Sequence, residues 1–518
     1  MKINTKKISF FAGILLAGSM LMTQSSCTAG FESINRPGGK LSEEEMGRDN
    51  FKMGAFFPNM SDIAFPAQEN SYQMNENLVG AQYSRYMMFT KPAWSTSNFL
   101  TYNPPTGWVN HPFKDLMAKF YSAWNEVNKM TEGKGVNYAW SQVLRVIAMQ
   151  RLTDQYGPIP YRGVESGSIS TAYDSQEDVY KYMFEDLNEA IEVLTSFSLA
   201  NPENRSMANF DKLYAGDFSK WVRLANSQKL RMAIRISGVE PELAKTMAEE
   251  AVNHPIGVMQ SNSDNANYHY AKNPLEVMWN SYGDTRAAAD ITAYMNGFKD
   301  PRVEKYLQPM KFASKESPYQ GNRSGSNIAN LEDAQKYSSP KVATTDPVLW
   351  MAVSEVTFCK AEGALLGWNM GGTAKELYEL AIRQSFEQWG ASGADDCLNN
   401  SVLIQAGYFD PAGANSISAV SNITIKWDDA ADMTVKMERL ITQKWIALWP
   451  LGTEAWSEKR RTGFPKYFPL GTPNLPEVAN RIPFAPDEYT NNRDNVLQAI
   501  TLLGGKDDYQ TKLWWQQK

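Results

Sequence analysis

Residues 154–161 read DQYGPIPY, and the chain's architecture can be worked outward from them. Upstream, from about 136 to 155, Trp140, Val143, Leu144, Ile147, Ala148 and Leu152 recur at helical spacing. They mark one buried stripe of an amphipathic helix. Gly157 then stands where a helix ends, because φ > 0 costs glycine little. Pro158 cannot continue a helix, and Pro160 pushes Ile159 towards extended geometry. The stretch therefore reads as an abrupt helix stop with a stiff exit.

Other segments repeat the helical period. Phe113, Leu116, Phe120 and Trp124 predict a helix over 111–130 that pairs with 136–155 as a hairpin. The next helix is expected over 173–194, with Ser175 and Asp178 forming a capping-box-like start. Another follows over 217–236, capped by Asp217. Its Arg231 and Arg235 lie one turn apart and read as a solvated or acid-paired face in preference to a basic site. Between 240 and 345 the helical signal weakens into Asn, Ser, Gly, Pro and Tyr, a loop-rich stretch whose length points to function. Helices resume over 347–368, 373–390 and 434–449. Small residues at Ala361, Ala364 and Gly367, then Ala381, suit close-packed tetratricopeptide-like hairpins, without a clean 34-residue repeat. The expected fold is mainly α, with helical scaffold over about 111–236 and 347–460, and a loop-rich insertion over about 240–345.

The 518 residues are 43% hydrophobic and 21% charged, which describes a globular chain. A formal net charge of −6 argues against nucleic acid as a partner. The N-terminus departs from this composition. Lys2, Lys6 and Lys7 precede an apolar run from Ile8 to Met22, followed by TQSSC. This is a signal peptide over 1–26, with lipidation expected at Cys27. The place three residues before Cys27 holds Gln24 where an aliphatic residue is usual. Residues 27–50 read as a polar tether, and 51–518 as the folded domain. Cys359 and Cys397 have no zinc spacing; a disulfide between them is left open.

Six stretches in order, DQYGPIPY, KWVRLANSQKLRMAIRI, YMNGFKDPR (294–302), SEVTFCKAEGALLG, QKWIALWPLGTEAWSEKRRTGFP (443–465) and RIPFAPDEYTNNRDNV (481–496), together resemble the SusD/RagB-like family. The resemblance runs over nearly the whole chain. It implies a cell-surface, outer-membrane lipoprotein of Bacteroidetes with a tetratricopeptide-like scaffold. Its partner would be a SusC-like TonB-dependent barrel, and its ligand an oligosaccharide or, in some members, a peptide. On this resemblance DQYGPIPY is a scaffold signature and not a ligand contact.

Catalytic motifs are absent: no HExxH, no GxSxG and no P-loop occur. The three histidines, His111, His254 and His269, are too scattered for a triad or zinc site. A surface glycosidase or peptidase is the rival from another class. SDNAN (263–267) resembles a calcium loop, but His269 stands where that loop needs glycine. No metal or cofactor is expected. Sugar capture does have material, because aromatic rings match the apolar faces of sugars while amides and charges serve the hydroxyls. KPAWSTSN (91–98), NPPTGWVNHP (103–112), MWNSYGDTR (278–286) and SPYQGN (317–322) carry that mixture in segments without helical period. Trp108, Trp279 and Tyr282 are the expected platforms, with Trp94 and Arg85 as further candidates.

Overall fold

The helical stripes close onto one another through large aromatic side chains. The structure, a computed structural model, describes residues 50–166, 170–313 and 317–517. The expected signal peptide, Cys27 and nearly all of the tether lie outside the described residues. In chain order, the longer helices begin with α1 (Phe56–Ala64), α2 (Thr106–Lys114), α3 (Tyr121–Thr131) and α4 (Gly135–Tyr156). They continue with α5 (Gln176–Ala200), α6 (Phe218–Ile236), α7 (Pro241–Asn253) and α8 (Ala289–Phe298). The series ends with α9 (Val353–Leu365), α10 (Ala374–Gln388), α11 (Met433–Ala447), α12 (Gly452–Thr462) and α13 (Arg493–Leu503). The protein is mainly α. Successive helices pack in pairs: α4 on α5, α5 on α6, α6 on α7, and α9 on α10, while α6 touches α9 and joins the two series. Trp140 of α4 is fully buried, stacked 3.7 Å from Phe57 of α1 and edge-on to Trp221 of α6. Such ring pairs contribute roughly 0.5–1.5 kcal/mol beyond their buried area.

Four short strands add two ladders: β1 (Met87–Phe89) with β3 (Thr285–Ala287), and β2 (Ala266–Tyr268) with β4 (Val348–Met351), both antiparallel. Each strand is three or four residues long. The ladders serve to tie distant parts of the chain together.

DQYGPIPY ends α4 as its sequence predicts, with Gly157 at φ 88°. The structure adds what the stop is for. Asp154 is buried and fully satisfied: one oxygen accepts from Gln150 and Arg235, the other from the Tyr180 hydroxyl and the Trp515 indole at 2.6 and 3.0 Å. The Tyr156 carbonyl accepts both Nε and Nη2 of Arg481, and Gln155 accepts the Ile482 amide. The motif is the place where the C-terminal stretch RIPFAP docks on the scaffold.

Arg231 and Arg235 are acid-paired and almost wholly buried. Arg231 grips Glu355 with two bonds, at 2.6 and 2.7 Å. Arg235 bridges Asp154 of α4 and Glu454 of α12. The network continues through Glu458, which takes Lys444 of α11 at 2.7 Å and Arg461 at 2.8 Å, and Arg461 also forks onto Glu362 of α9. Burial alone would push the Glu458 carboxyl up; Arg461, Lys444 and Arg235 outweigh it and hold it well below the usual carboxylate range.

The structure corrects several expectations. α7 and α8 lie inside the stretch read as loop-rich; Pro241 at the first position of α7 starts that helix where it was read as a loop marker. Residues 348–351 form β4 where a helix was expected to begin. Trp108 sits in helix α2 and Trp279 in a π-helical turn, Val277–Ser281, so neither segment lacks helical geometry. α12 lies within the helical scaffold expected over about 347–460, whereas α13 lies beyond it. Cys359 and Cys397 are both free and buried, and burial pushes the Cys359 thiol up to about 12. Within SDNAN, Asp264 pairs with Arg223 at 2.8 Å and accepts the Gln260 and Ser261 amides. Its oxygens therefore cap a turn.

Candidate ligand-binding site

The β1–β3 ladder decides which loops meet. Met87 faces Ala287, Met88 faces Arg286 and Phe89 faces Thr285. Because the strands are antiparallel, the segment leaving β1 and the segment entering β3 emerge at the same end. Thr90 fastens them: its amide donates to the Asp284 carbonyl at 3.0 Å and its hydroxyl to the Gly283 carbonyl at 2.8 Å. The Lys91 ammonium donates to the Tyr282 carbonyl at 3.2 Å. KPAWSTSN and MWNSYGDTR, far apart in sequence, thus share one surface.

On that surface Tyr282 is 37% exposed, and its hydroxyl reaches Asn70 Oδ1 at 3.4 Å. Trp94 is half-buried. Its ring stands edge-on to Trp108 at 5.3 Å and to Phe89 at 6.3 Å. Trp108, also half-buried, lies over Phe99 at 6.2 Å. Asn98 pins the Trp94 carbonyl with its side-chain amide at 2.6 Å. Trp108 therefore buttresses Trp94 from α2, while Tyr282 is the most open ring of the predicted set.

Beneath the rings lies a buried polar layer. The Asp284 carboxyl accepts Gln73 Nε2 at 2.6 Å on one oxygen; the other has no partner among the described residues. Burial pushes this carboxyl up to about 6, against the opposing pull of Lys91, the Gln73 hydrogen bond and Arg286. Arg286 donates to the carbonyls of Gln335 and Trp279, each at 3.1 Å, and to that of Thr285. Burial lowers its guanidinium to about 10, with Asp284 opposing the shift.

Two candidates have other roles in the structure. Arg85 is fully buried at φ 59°, bonded to the Glu477 carbonyl and lying 5.7 Å over the Tyr467 ring, so it offers no surface to a ligand. A polar residue in an irregular segment looks exposed in sequence, and only the tertiary fold shows otherwise. Trp279 is half-buried and commits its indole N–H to the Val342 carbonyl at 3.1 Å, while its own carbonyl holds Arg286. Asn70, Gln73 and Asp284 were not singled out, because Asn70 and Gln73 lie in a helical stretch with no ligand signature of its own. Among the described residues no group of His, Cys, Asp and Glu side chains is arranged to hold a metal.

Known proteins resemble this chain along most of its length. The model of the SusD-like family, described as Susd and RagB outer membrane lipoprotein, matches residues 33–516. The chain belongs to the SusD-like family. Solved structures agree with the SusD-like assignment along the chain. A SusD homolog from Bacteroides uniformis is 39% identical with a TM-score of 0.83, covering 90% of this chain and 100% of its own. A SusD-like protein from Bacteroides thetaiotaomicron is 38% identical with a TM-score of 0.85, covering 90% and 99%. A chitin-binding SusD homolog from Flavobacterium johnsoniae is 36% identical with a TM-score of 0.84, covering 90% and 98%. No curated protein matches the chain. The SusD-like family places this protein among outer-membrane lipoproteins. No helix among the described residues is long and apolar enough to cross a membrane.

Proposed function

We propose that this SusD-like protein is a non-catalytic lipoprotein of the cell surface that captures oligosaccharides and passes them to a SusC-like TonB-dependent barrel. The observation that carries the reading is the β1–β3 ladder, which sets the open Tyr282 ring beside the loop of Trp94 and Lys91. Exposed aromatic rings take the apolar face of a sugar, and Lys91 and Asn70 serve hydroxyls at the rim. Similarity to a chitin-binding SusD homolog supports a glycan as ligand. A lipid on Cys27 anchors the protein, and Trp108 acts as the support of Trp94.

The test is a binding screen of the mature protein against oligosaccharide and oligopeptide panels, with product analysis of each mixture. Saccharide binding that falls in Tyr282→Ala and Trp94→Ala, with no product formed, is the expected result. Binding of peptides alone moves the ligand to the other class. Release of shorter products would show an enzyme instead.

A further inference from the structure

The motif YMNGFKDPR plays no part in the Trp94–Tyr282 surface, yet it builds the wall of a separate cavity. Gly297 shows how. A Cβ on it would lie 2.2 Å from the Ala406 amide nitrogen and the Ile404 carbonyl oxygen, so only glycine lets the 404–406 loop lie directly on α8. That contact is sealed by Ala406 donating its amide to the Ala293 carbonyl at 3.1 Å. Between this loop, the C-terminal end of α8 and the segment 317–320 lies a cavity of about 520 Å³. Its size falls within the range of small-ligand sites, roughly 300–1,000 Å³.

The lining is unusual for packing and suited to a ligand. Phe409 is 62% exposed at the rim, and Tyr319 is half-buried across from the motif. Gln320 is only 8% exposed, and its side-chain amide has no hydrogen-bond partner among the described residues. Lys299 and Glu304, both exposed at the edge, likewise have no ion-pair partner for their charged groups among the described residues. By contrast Asn296 is occupied, donating to the Tyr319 carbonyl at 2.7 Å and accepting from Ser317 at 2.9 Å. Two rings, one open amide, one ammonium and one carboxylate make a set of donors and acceptors matched to a neutral polyhydroxylated ring.

We propose that this cavity is a second saccharide-binding site, independent of the Trp94–Tyr282 surface, with Phe409 and Tyr319 as platforms and Gln320 as the buried hydrogen-bonding group. The test uses saturation-transfer NMR with tetrasaccharides of chitin, xylan, β-glucan and mannan on the mature chain. Four proteins are compared: wild type, Trp94→Ala/Tyr282→Ala, Gln320→Ala/Phe409→Ala, and the combination of all four changes. Each double variant should keep saturation transfer to a tetrasaccharide bound by wild type, and the fourfold variant should lose at least about five-fold of it. If Trp94→Ala/Tyr282→Ala abolishes all transfer while Gln320→Ala/Phe409→Ala matches wild type, there is one site and the proposal is wrong. Silence of wild type towards every tetrasaccharide overturns it together with the saccharide reading above. Should Gln320→Ala/Phe409→Ala melt early, the exposed pair Lys299→Met/Glu304→Gln replaces it, with the same outcomes deciding.

Discussion

Tyr282 and Trp108 separate two uses of an aromatic ring. An open ring that stacks one sugar buries about 50–100 Å² of apolar surface, worth roughly 1–2.5 kcal/mol. Tyr282→Ala should therefore weaken saccharide binding by about 5- to 70-fold, read by calorimetry, with little change in melting temperature. Trp108→Ala should do the reverse first: it removes a half-buried ring from Phe99 and Trp94 and should cost about 2–4 kcal/mol of stability in denaturant unfolding. Asp284 adds a pH dependence. Its folded pKa, about 6, is raised above the ordinary value, so its contribution to stability is complete below about pH 4 and is lost as pH rises through 6. Asp284→Asn should flatten this part of the stability profile between pH 4 and 7, a change on the order of 2 kcal/mol. A profile identical to that of wild type would show that the carboxyl is ionised without penalty.

At the scale of elements, the sequence discloses helices whose buried face is apolar and conceals those whose buried face is charged. The stripe of Val179, Met183, Leu187 and Leu194 announces α5, and Asp217 caps α6 as its position requires, accepting the Ser219 and Lys220 amides. α12 gives no such stripe, because Glu454, Glu458 and Arg461 are buried through ion pairs instead of apolar contacts. Hydrophobic periodicity is blind to that arrangement. The alternation of a three-residue strand is too short to register, so the ladder that assembles the candidate ligand surface was not legible. The composition of its loops was legible: Trp94 and Tyr282 stand out among polar neighbours, while the burial of Arg85 is decided by segments hundreds of residues away. Breaking the charged layer should be costly in proportion to its burial. Glu458→Gln leaves Lys444 and Arg461 short of an anion and should destabilise the protein by about 3–5 kcal/mol. Chemical denaturation measures this, and a loss below about 1 kcal/mol would mean that the network rearranges.

For the whole molecule, attachment and partnership are the remaining tests. Labelled palmitate should enter wild type in cells and fail to enter Cys27→Ala, and equal labelling of the two would remove the lipid anchor from the account. Gentle detergent extraction followed by pull-down should recover a TonB-dependent barrel with the protein. Recovery of the protein alone at every detergent strength would count against the shared transport role.

The bond between the Trp515 indole and Asp154 spans 361 positions of the chain. Its meaning extends to the order of events during biogenesis. A nascent chain emerging from its N-terminus completes α4 early, yet Asp154 must wait for Trp515, 361 positions on, before its final donor arrives. Contacts of such separation form late and slow folding. The DQYGPIPY junction thus acts as a latch on completeness: a chain shortened before Trp515 carries a buried carboxylate lacking one of its four donors, and cellular proteases would meet it as a loosened, clippable molecule.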